Sequence, residues 1–194
     1  MAELALAADL GATRMRVALV DHSGHMTHRH SASTLAHRGR DDVLGRFVDI
    51  LEHVASSSKP ATLMGIGISL ASPTDPDTGL MYNPPNLPGW DGFSLKPVLE
   101  DRFSPKTSLA NDATLAALAE HVYGAGRGFK HMIYITLSTG IGGGIIIDGR
   151  PYTGDRGFAG ELGHICIDRN GPMCNCGNLG CLEAMASGTA VARM

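Results

Sequence analysis

Short apolar runs separated by polar turns occupy the first third of the chain. They predict three strands, a helix and a fourth strand, in that order. The predicted strands are residues 4–8, 15–20, roughly 25–31 and 63–70. Between the third and fourth strands, an apolar set recurs at helical spacing, namely Val43, Phe47, Ile50, Leu51 and Val54, and Asp41 is expected to cap that helix. This order favours an α/β fold.

The pattern begins again near residue 131. The elements predicted before it are a Pro-rich loop at 73–97, a short helix at about 94–102, a strand near 107–110 and an Ala/Leu-rich helix at 112–123. The elements predicted after it are strands at 132–137 and 144–148 around a Gly-rich turn. The restart predicts two lobes, residues 1–128 and 129–194. A second copy of residues 1–126 would run well past 194, so we expect the chain to be partial.

Each lobe opens with a strand, a small-residue turn and a second strand. The first turn is residues 9–13 and the second is 138–144, and both carry a hydroxyl side chain. Two such turns facing each other across a cleft would offer backbone N–H groups and hydroxyls to one polyphosphate. A pair of ordinary glycine hairpins explains either turn alone equally well.

Composition narrows the function classes. Hydrophobic residues make up 43% and charged residues 18%, which excludes a disordered chain, and a net charge of −3 disfavours a nucleic-acid surface. The longest uncharged stretch, residues 132–147, is too short for a membrane helix. Glu3 and Asp9 precede every basic residue, the reverse of a secretory signal, so a cytoplasmic location is expected.

Four residues between positions 164 and 181 have the identities of zinc ligands. His164, Cys174, Cys176 and Cys181 are interleaved with glycine, which predicts a closed, tetrahedral Cys₃His site with a structural role. Unpaired cytosolic thiols are the alternative. Cys166 is expected to be a buried small hydrophobic residue outside the site.

Carboxylates near these features are candidates for acid/base chemistry. Asn111 and Asp112 lie where a strand ends and a helix begins, and a helix cap is the slightly simpler interpretation of that pair. Glu161 lies three residues before His164, and Glu183 follows the last cysteine by two. Asp112, Glu161 and Glu183 would be able to converge on a polyol, with one of them as base. Trp90 is expected to anchor the Pro-rich loop, with sugar stacking as a weaker alternative.

These motifs together resemble those of the ROK family of bacterial sugar kinases and related repressors, and most of all its glucokinases. The matching stretches are DLGAT at 9–13, NDA at 111–113, LSTGIGGG at 137–144, GELGH at 160–164 and CNCGNLGCLE at 174–183. They span the chain in the family's order. The last two together are highly specific, whereas the first alone is weak.

The resemblance implies an actin-like, ribonuclease H-like fold of two lobes, with a zinc-stapled insertion in an incomplete second lobe. It implies an ATP-dependent hexose kinase in which Asp112 takes the proton from the sugar's 6-hydroxyl. The implied sugar partners are Asn111, Glu161, His164 and Glu183, and His164 would serve zinc and sugar through its two ring nitrogens. The implied phosphate-binding residues are Asp9, Gly11, Thr13, Thr139 and Gly140, with Mg²⁺ bridging the nucleotide phosphates.

Some positions depart from the family pattern. Ala12 and Ser138 stand where glycine is common, and residues 71–73 replace a segment whose glycine often approaches the sugar. Three alternatives to a glucose kinase are kept: an amino-sugar kinase for N-acetylmannosamine, a sugar-sensing repressor domain, and a zinc-stapled fragment without activity. No basic recognition helix precedes the first strand, which favours the kinase. The donor, ATP or polyphosphate, is left open, and a homodimer is one expected assembly.

Overall fold

The computed structural model describes residues 3–59 and 61–193. The chain divides into two compact units, residues 1–112 and 113–194, called here the N-terminal unit and the C-terminal unit. The division falls at the start of an α-helix. The lobe boundary after residue 128 stays a prediction.

The N-terminal unit contains one mixed five-stranded sheet. Its strands are β1 (Glu3–Leu10), β2 (Arg14–Asp21), β3 (Met26–Ser33), β4 (Thr62–Leu70) and β5 (Thr107–Asn111). They are ordered β3-β2-β1-β4-β5, with β1 antiparallel to β2 and parallel to β4. The other regular elements described in this unit are a 3₁₀ turn (Ala36–Arg38) and the helices α1 (Arg40–Ser56) and α2 (Leu95–Arg102). All four strands and the helix predicted for the first third of the chain are present.

Helix α1 packs the predicted apolar face into the core. Val43, Phe47 and Leu51 are fully buried, and Val54 is nearly so. The predicted cap at Asp41 is wrong, because the N-cap is Gly39, at φ 88°, a backbone conformation that favours glycine. Asp41 instead lies in the first turn, where a carboxylate is stabilised by the helix dipole.

Trp90 anchors the Pro-rich loop, as predicted. Its side chain is 1% exposed and meets the Phe93 ring edge to face, with centroids 5.4 Å apart. The guanidinium of Arg40 lies 4.8 Å from the centre of the Phe93 ring. The buried indole has no free face on which a sugar could stack.

The C-terminal unit is built on a helix and a small antiparallel sheet. Helix α3 (Asp112–Tyr123) leads into it, and the sheet is β6 (Met132–Leu137), β7 (Ile141–Ile147) and β8 (Arg150–Pro151). They are followed by a 3₁₀ turn (Leu162–His164) and the short helices α4 (Leu182–Ala186) and α5 (Gly188–Val191). Of all helices in the described ranges, none combines the length and apolar character that crossing a bilayer requires.

The glycines that follow Gly140 belong to a strand. The predicted turn at 138–144 is shorter than expected, since β7 already begins at Ile141. A Cβ atom added at Gly142 would lie 3.2 Å from the Cβ of Ala113. One added at Gly144 would lie 2.5 Å from the Cβ of Ala117. The absence of side chains at these two positions therefore allows helix α3 to pack closely on the strand.

Replacing Gly144 with alanine tests this close packing. The added methyl group would crowd the Ala117 side chain and, at 2.8 Å, the carbonyl oxygen of Ala113, so we expect a loss of about 1–3 kcal/mol in the free energy of unfolding. Gly67→Ala in strand β4 is the matched control, because its Cβ would meet nothing within 4 Å. Urea unfolding of both variants measures the difference. Equal stabilities would contradict the packing argument.

Candidate functional site

One histidine and three cysteines converge in the C-terminal unit. The ligand atoms of His164, Cys174, Cys176 and Cys181 all lie within 4.8 Å of one another. We call this group the His/Cys cluster. The Cys176 and Cys181 sulfurs are 3.6 Å apart, and the Cys174 sulfur is 3.7 Å from His164 Nδ1. The side chains that the sequence analysis assigned to a metal are therefore together.

A tight hairpin positions the sulfur atoms of the cysteines. The Cys174 N–H donates to the Asn178 carbonyl at 2.8 Å, and the Gly177 N–H donates back to the Cys174 carbonyl at 2.9 Å. Gly177 and Gly180 adopt φ values of 91° and 66°, which explains the glycines between the cysteines. Backbone pairing of Cys166 with Cys181 joins this hairpin to the segment that follows His164.

Two short distances within the His/Cys cluster fit a tetrahedral zinc ion, and the other pairs of ligand atoms lie no more than 4.8 Å apart. Zn–S bonds of about 2.3 Å and Zn–N bonds of about 2.0 Å, at tetrahedral angles, place sulfur pairs about 3.8 Å apart and sulfur–nitrogen pairs about 3.5 Å apart. The observed 3.6 and 3.7 Å are close to these values. Four protein ligands would fill the coordination shell, so the cluster suggests a structural zinc site.

The thiols of the cluster have unequal acidities. Burial, together with the neighbouring sulfurs of Cys174 and Cys176, raises the pKa of Cys181 to about 12. The Asn178 backbone N–H, donating to Cys176, lowers the pKa of that thiol. A bound dication would reverse the penalty on Cys181, because a coordinated thiol loses its proton.

Cys166 does not behave as predicted. It is exposed and stands outside the His/Cys cluster, so the expectation of a buried small hydrophobic residue is wrong. The segment around it pairs through its backbone with residues 180–182, and its neighbours Ile165 and Ile167 are 54% and 55% exposed. Residue type alone suggested burial, whereas the structure leaves Cys166 and its two neighbours open to solvent.

His164 faces two different groups. Its Nδ1 atom points to the cysteine sulfurs, whereas its Nε2 atom lies 3.8 Å from Glu161 Oε2. Both side chains are about one-third exposed. The arrangement leaves Nδ1 for a metal and brings Nε2 next to a carboxylate, so the two ring nitrogens have separate surroundings.

Glu183 contacts the turn between β6 and β7. Its Oε2 atom accepts a hydrogen bond from the Ile141 N–H at 2.8 Å and lies against Gly140. The turn is also held by α5, because the Thr189 hydroxyl donates to the Thr139 carbonyl at 2.8 Å. Thr189 was not among the predicted site residues, because no sequence motif signals it.

Asn111 and Asp112 occupy the predicted strand-to-helix junction in the N-terminal unit. Asn111 ends β5 and Asp112 opens α3. The Asn111 side-chain amide donates to the Ser72 carbonyl at 3.4 Å. This bond ties the junction to the segment that follows β4.

The first small-residue turn joins β1 and β2. The Gly11 N–H donates to the Arg14 carbonyl at 3.0 Å, and the buried Thr34 hydroxyl donates to the Gly11 carbonyl at 2.7 Å. Asp9 forms an ion pair with Arg16 at 2.7 Å, directly across the antiparallel strands. Arg16 was not among the predicted site residues, although the register of the two strands places it opposite Asp9. Thr13 is exposed at the turn.

A family model described as "ROK family" matches residues 5–194. A glucokinase of Thermotoga maritima is 42% identical over 187 residues, which are 95% of this chain and 57% of that protein. An N-acetylmannosamine kinase of Citrobacter koseri is 37% identical over 96% of this chain and 62% of its own length. A xylose repressor of Bacillus subtilis is 37% identical over 74% of this chain and 38% of its own length.

Solved structures match over almost the whole chain. A ROK hexokinase from Thermus thermophilus has a TM-score of 0.85 at 35% identity, covering 98% of this chain and 62% of that one. A ROK family glucokinase from Streptomyces griseus, in complex with glucose and AMPPNP, has a TM-score of 0.81 at 33% identity, covering 98% and 59%. The actin-like α/β fold implied by the sequence motifs is confirmed, and the chain spans about 60% of the length of these relatives.

Proposed function

The chain belongs to the ROK family, and on that premise we propose that the protein is an ATP-dependent hexose kinase that phosphorylates the 6-hydroxyl of glucose. The observation that carries the proposal is the 42% identity to a glucokinase over 95% of the chain. The solved relative that binds glucose and AMPPNP supports the same substrate pair.

In this proposal, Asp112 is the general base. Its carboxylate takes the proton of the 6-hydroxyl while that oxygen attacks the terminal phosphorus of ATP and the bond to the ADP oxygen breaks. Asn111 holds the sugar from the same unit. Its hydrogen bond to the Ser72 carbonyl fixes the orientation of the amide, which reduces the freedom lost on binding.

Glu161, His164 and Glu183 are the proposed sugar partners in the C-terminal unit. The geometry of His164 supports this assignment, because Nδ1 faces the sulfurs and Nε2 lies next to Glu161. The His/Cys cluster would hold Zn²⁺, which would cross-link residues 164–181 and take no part in the chemistry.

The two small-residue turns are the proposed phosphate sites. Asp9, Gly11 and Thr13 form one, and Thr139 and Gly140 form the other. Mg²⁺ would neutralise charge on the nucleotide phosphates. The Arg16 guanidinium, now paired with Asp9, is positioned at the first of these turns.

N-acetylmannosamine is the second candidate substrate, supported by the 37% identity to a kinase for that sugar. A sugar-sensing role is the alternative from another class, supported by the match to a xylose repressor. Polyphosphate is the alternative phosphate donor to ATP. A homodimer and a cytoplasmic location are further parts of the proposal.

Sugar-dependent ADP release tests the proposal. Protein produced from the complete reading frame is expected to release ADP with glucose, and with a lower kcat/KM with N-acetylmannosamine. Thermal unfolding with each sugar provides a separate measure of binding, since a ligand at 100 times its Kd adds about 2.7 kcal/mol. If a sugar stabilises the protein but no ADP is released, the kinase proposal is wrong and a sugar-sensing role is favoured.

A further inference from the structure

The side chain of Glu183 joins two features of the C-terminal unit. Glu183 lies in α4, whose N-cap is Cys181, a member of the His/Cys cluster. Its carboxylate reaches strand β7, where Oε2 accepts the Ile141 N–H at 2.8 Å. An added Cβ at Gly140 would collide with this carboxylate, which lies against the backbone of the turn.

Residues of α4 and α5 hold the turn at residues 138–140. Within the turn, the Ser138 N–H donates to the Gly140 carbonyl at 2.9 Å. From α5, the Gly188 N–H donates to the Ser138 carbonyl at 2.8 Å, and the Thr189 hydroxyl donates to the Thr139 carbonyl. Ser138 and Thr139 are exposed. Residues 183–189 therefore support the turn and leave its hydroxyl side chains open to solvent.

The start of α4 depends on the His/Cys cluster. Cys181 is buried and its sulfur belongs to the cluster, and the Leu182 N–H donates to the Ile165 carbonyl at 2.9 Å. Only one residue separates Cys181 from Glu183. A metal that fixes the Cys181 sulfur would therefore also restrict the position of the Glu183 backbone.

We propose that Glu183 is a positioning residue that connects the His/Cys cluster to the turn at 138–140, so that metal binding orders the turn. The next step rests on the proposed function, in which this turn is a phosphate site. If metal binding orders the turn, then metal binding and nucleotide binding favour one another. The coupling is reciprocal by thermodynamic necessity.

Amide hydrogen exchange of residues 138–141 tests the positioning role directly. In zinc-loaded protein, Glu183→Ala is expected to speed exchange of the Ile141 amide about tenfold or more, because its acceptor is lost. Glu183→Gln is expected to retain protection, since the amide oxygen can still accept. Glu120→Ala is the matched control: Glu120 also accepts a backbone N–H, that of Ala125 at 3.0 Å, and its loss should leave 138–141 unchanged.

Removing zinc with a chelator tests the connection to the cluster. Exchange at 138–141 is expected to rise in the wild type and to change little further in Glu183→Ala. Equal protection in wild type and Glu183→Ala would overturn the positioning role. An equal rise on chelation in both would overturn the connection. If Glu183→Ala does not fold, Gly140→Ala replaces it, because its methyl group would displace the carboxylate from the turn.

Steady-state kinetics on protein from the complete reading frame separate the two roles of Glu183. Glu183→Gln is expected to raise the KM for sugar several-fold and leave the KM for ATP within about twofold, whereas Glu183→Ala raises both. An unchanged KM for ATP in Glu183→Ala would contradict an effect on nucleotide binding. If the wild type shows no kinase activity, the proposed function fails, and hydrogen exchange still decides the positioning role.

Discussion

Asp112→Asn is expected to lower kcat for sugar phosphorylation by about 10²–10⁴-fold, the range that general base catalysis contributes. Asparagine has almost the same shape as aspartate, so it preserves the junction between β5 and α3 but cannot accept the proton of the 6-hydroxyl. The sugar should still bind, because the proton transfer that the substitution removes takes place only in the transition state. The measurement is ADP release at saturating glucose and ATP.

Two further measurements make the Asp112 result specific. Asp101→Asn, at an exposed carboxylate in α2, is the matched control and is expected to keep wild-type activity. Sugar-dependent thermal stabilisation of Asp112→Asn should match that of the wild type. An Asp112→Asn protein that retains more than about a tenth of the activity would exclude Asp112 as the base and favour the helix-cap interpretation of this carboxylate.

Local sequence signals were sufficient for elements that end at distinctive residues. Helix α3 has the predicted bounds, because Asp112 favours its start and Gly124 its end. Strand β7 was predicted to start three residues too late, because glycines at 142–144 are typical of a turn. They are in the strand since α3 packs there, and that contact lies outside any local window. Asp41 was misassigned for a related reason, because the 3₁₀ turn before α1 makes Gly39 the cap.

The candidate site was predictable where residue identity specifies the chemistry. A histidine and three cysteines between positions 164 and 181 are enough to suggest a metal site, and the structure brings them together. The supporting contacts were not predictable. Thr34 lies 23 residues from the turn that it holds, and Thr189 lies 50 residues from Thr139. Hydroxyl groups of this kind carry no pattern in the sequence, and only the folded chain shows which carbonyl each one meets.

Removing the metal is expected to lower the melting temperature by about 10 °C. A site filled at a thousand times its Kd contributes about 4 kcal/mol, which corresponds to roughly 8–16 °C for a chain of this size. Cys181→Ser should reproduce the loss, since a buried hydroxyl is a poor replacement for a thiolate ligand of zinc. Melting curves of zinc-loaded and chelated protein, with zinc measured by mass spectrometry at an expected one ion per chain, test both expectations.

Cys166→Ser is the matched control for this prediction, because Cys166 is exposed and lies outside the His/Cys cluster. Its zinc content should be that of the wild type, and its stability should differ by no more than about 0.5 kcal/mol. If Cys166→Ser and Cys181→Ser lose the same stability, the thiols stabilise the fold by packing and not through a metal.

The effect of zinc should also weaken as the pH falls. The buried Cys181 thiol, with a pKa of about 12, must lose its proton to bind the metal, so protons compete with zinc. The melting temperatures of loaded and chelated protein should therefore differ less at about pH 6 than at about pH 8.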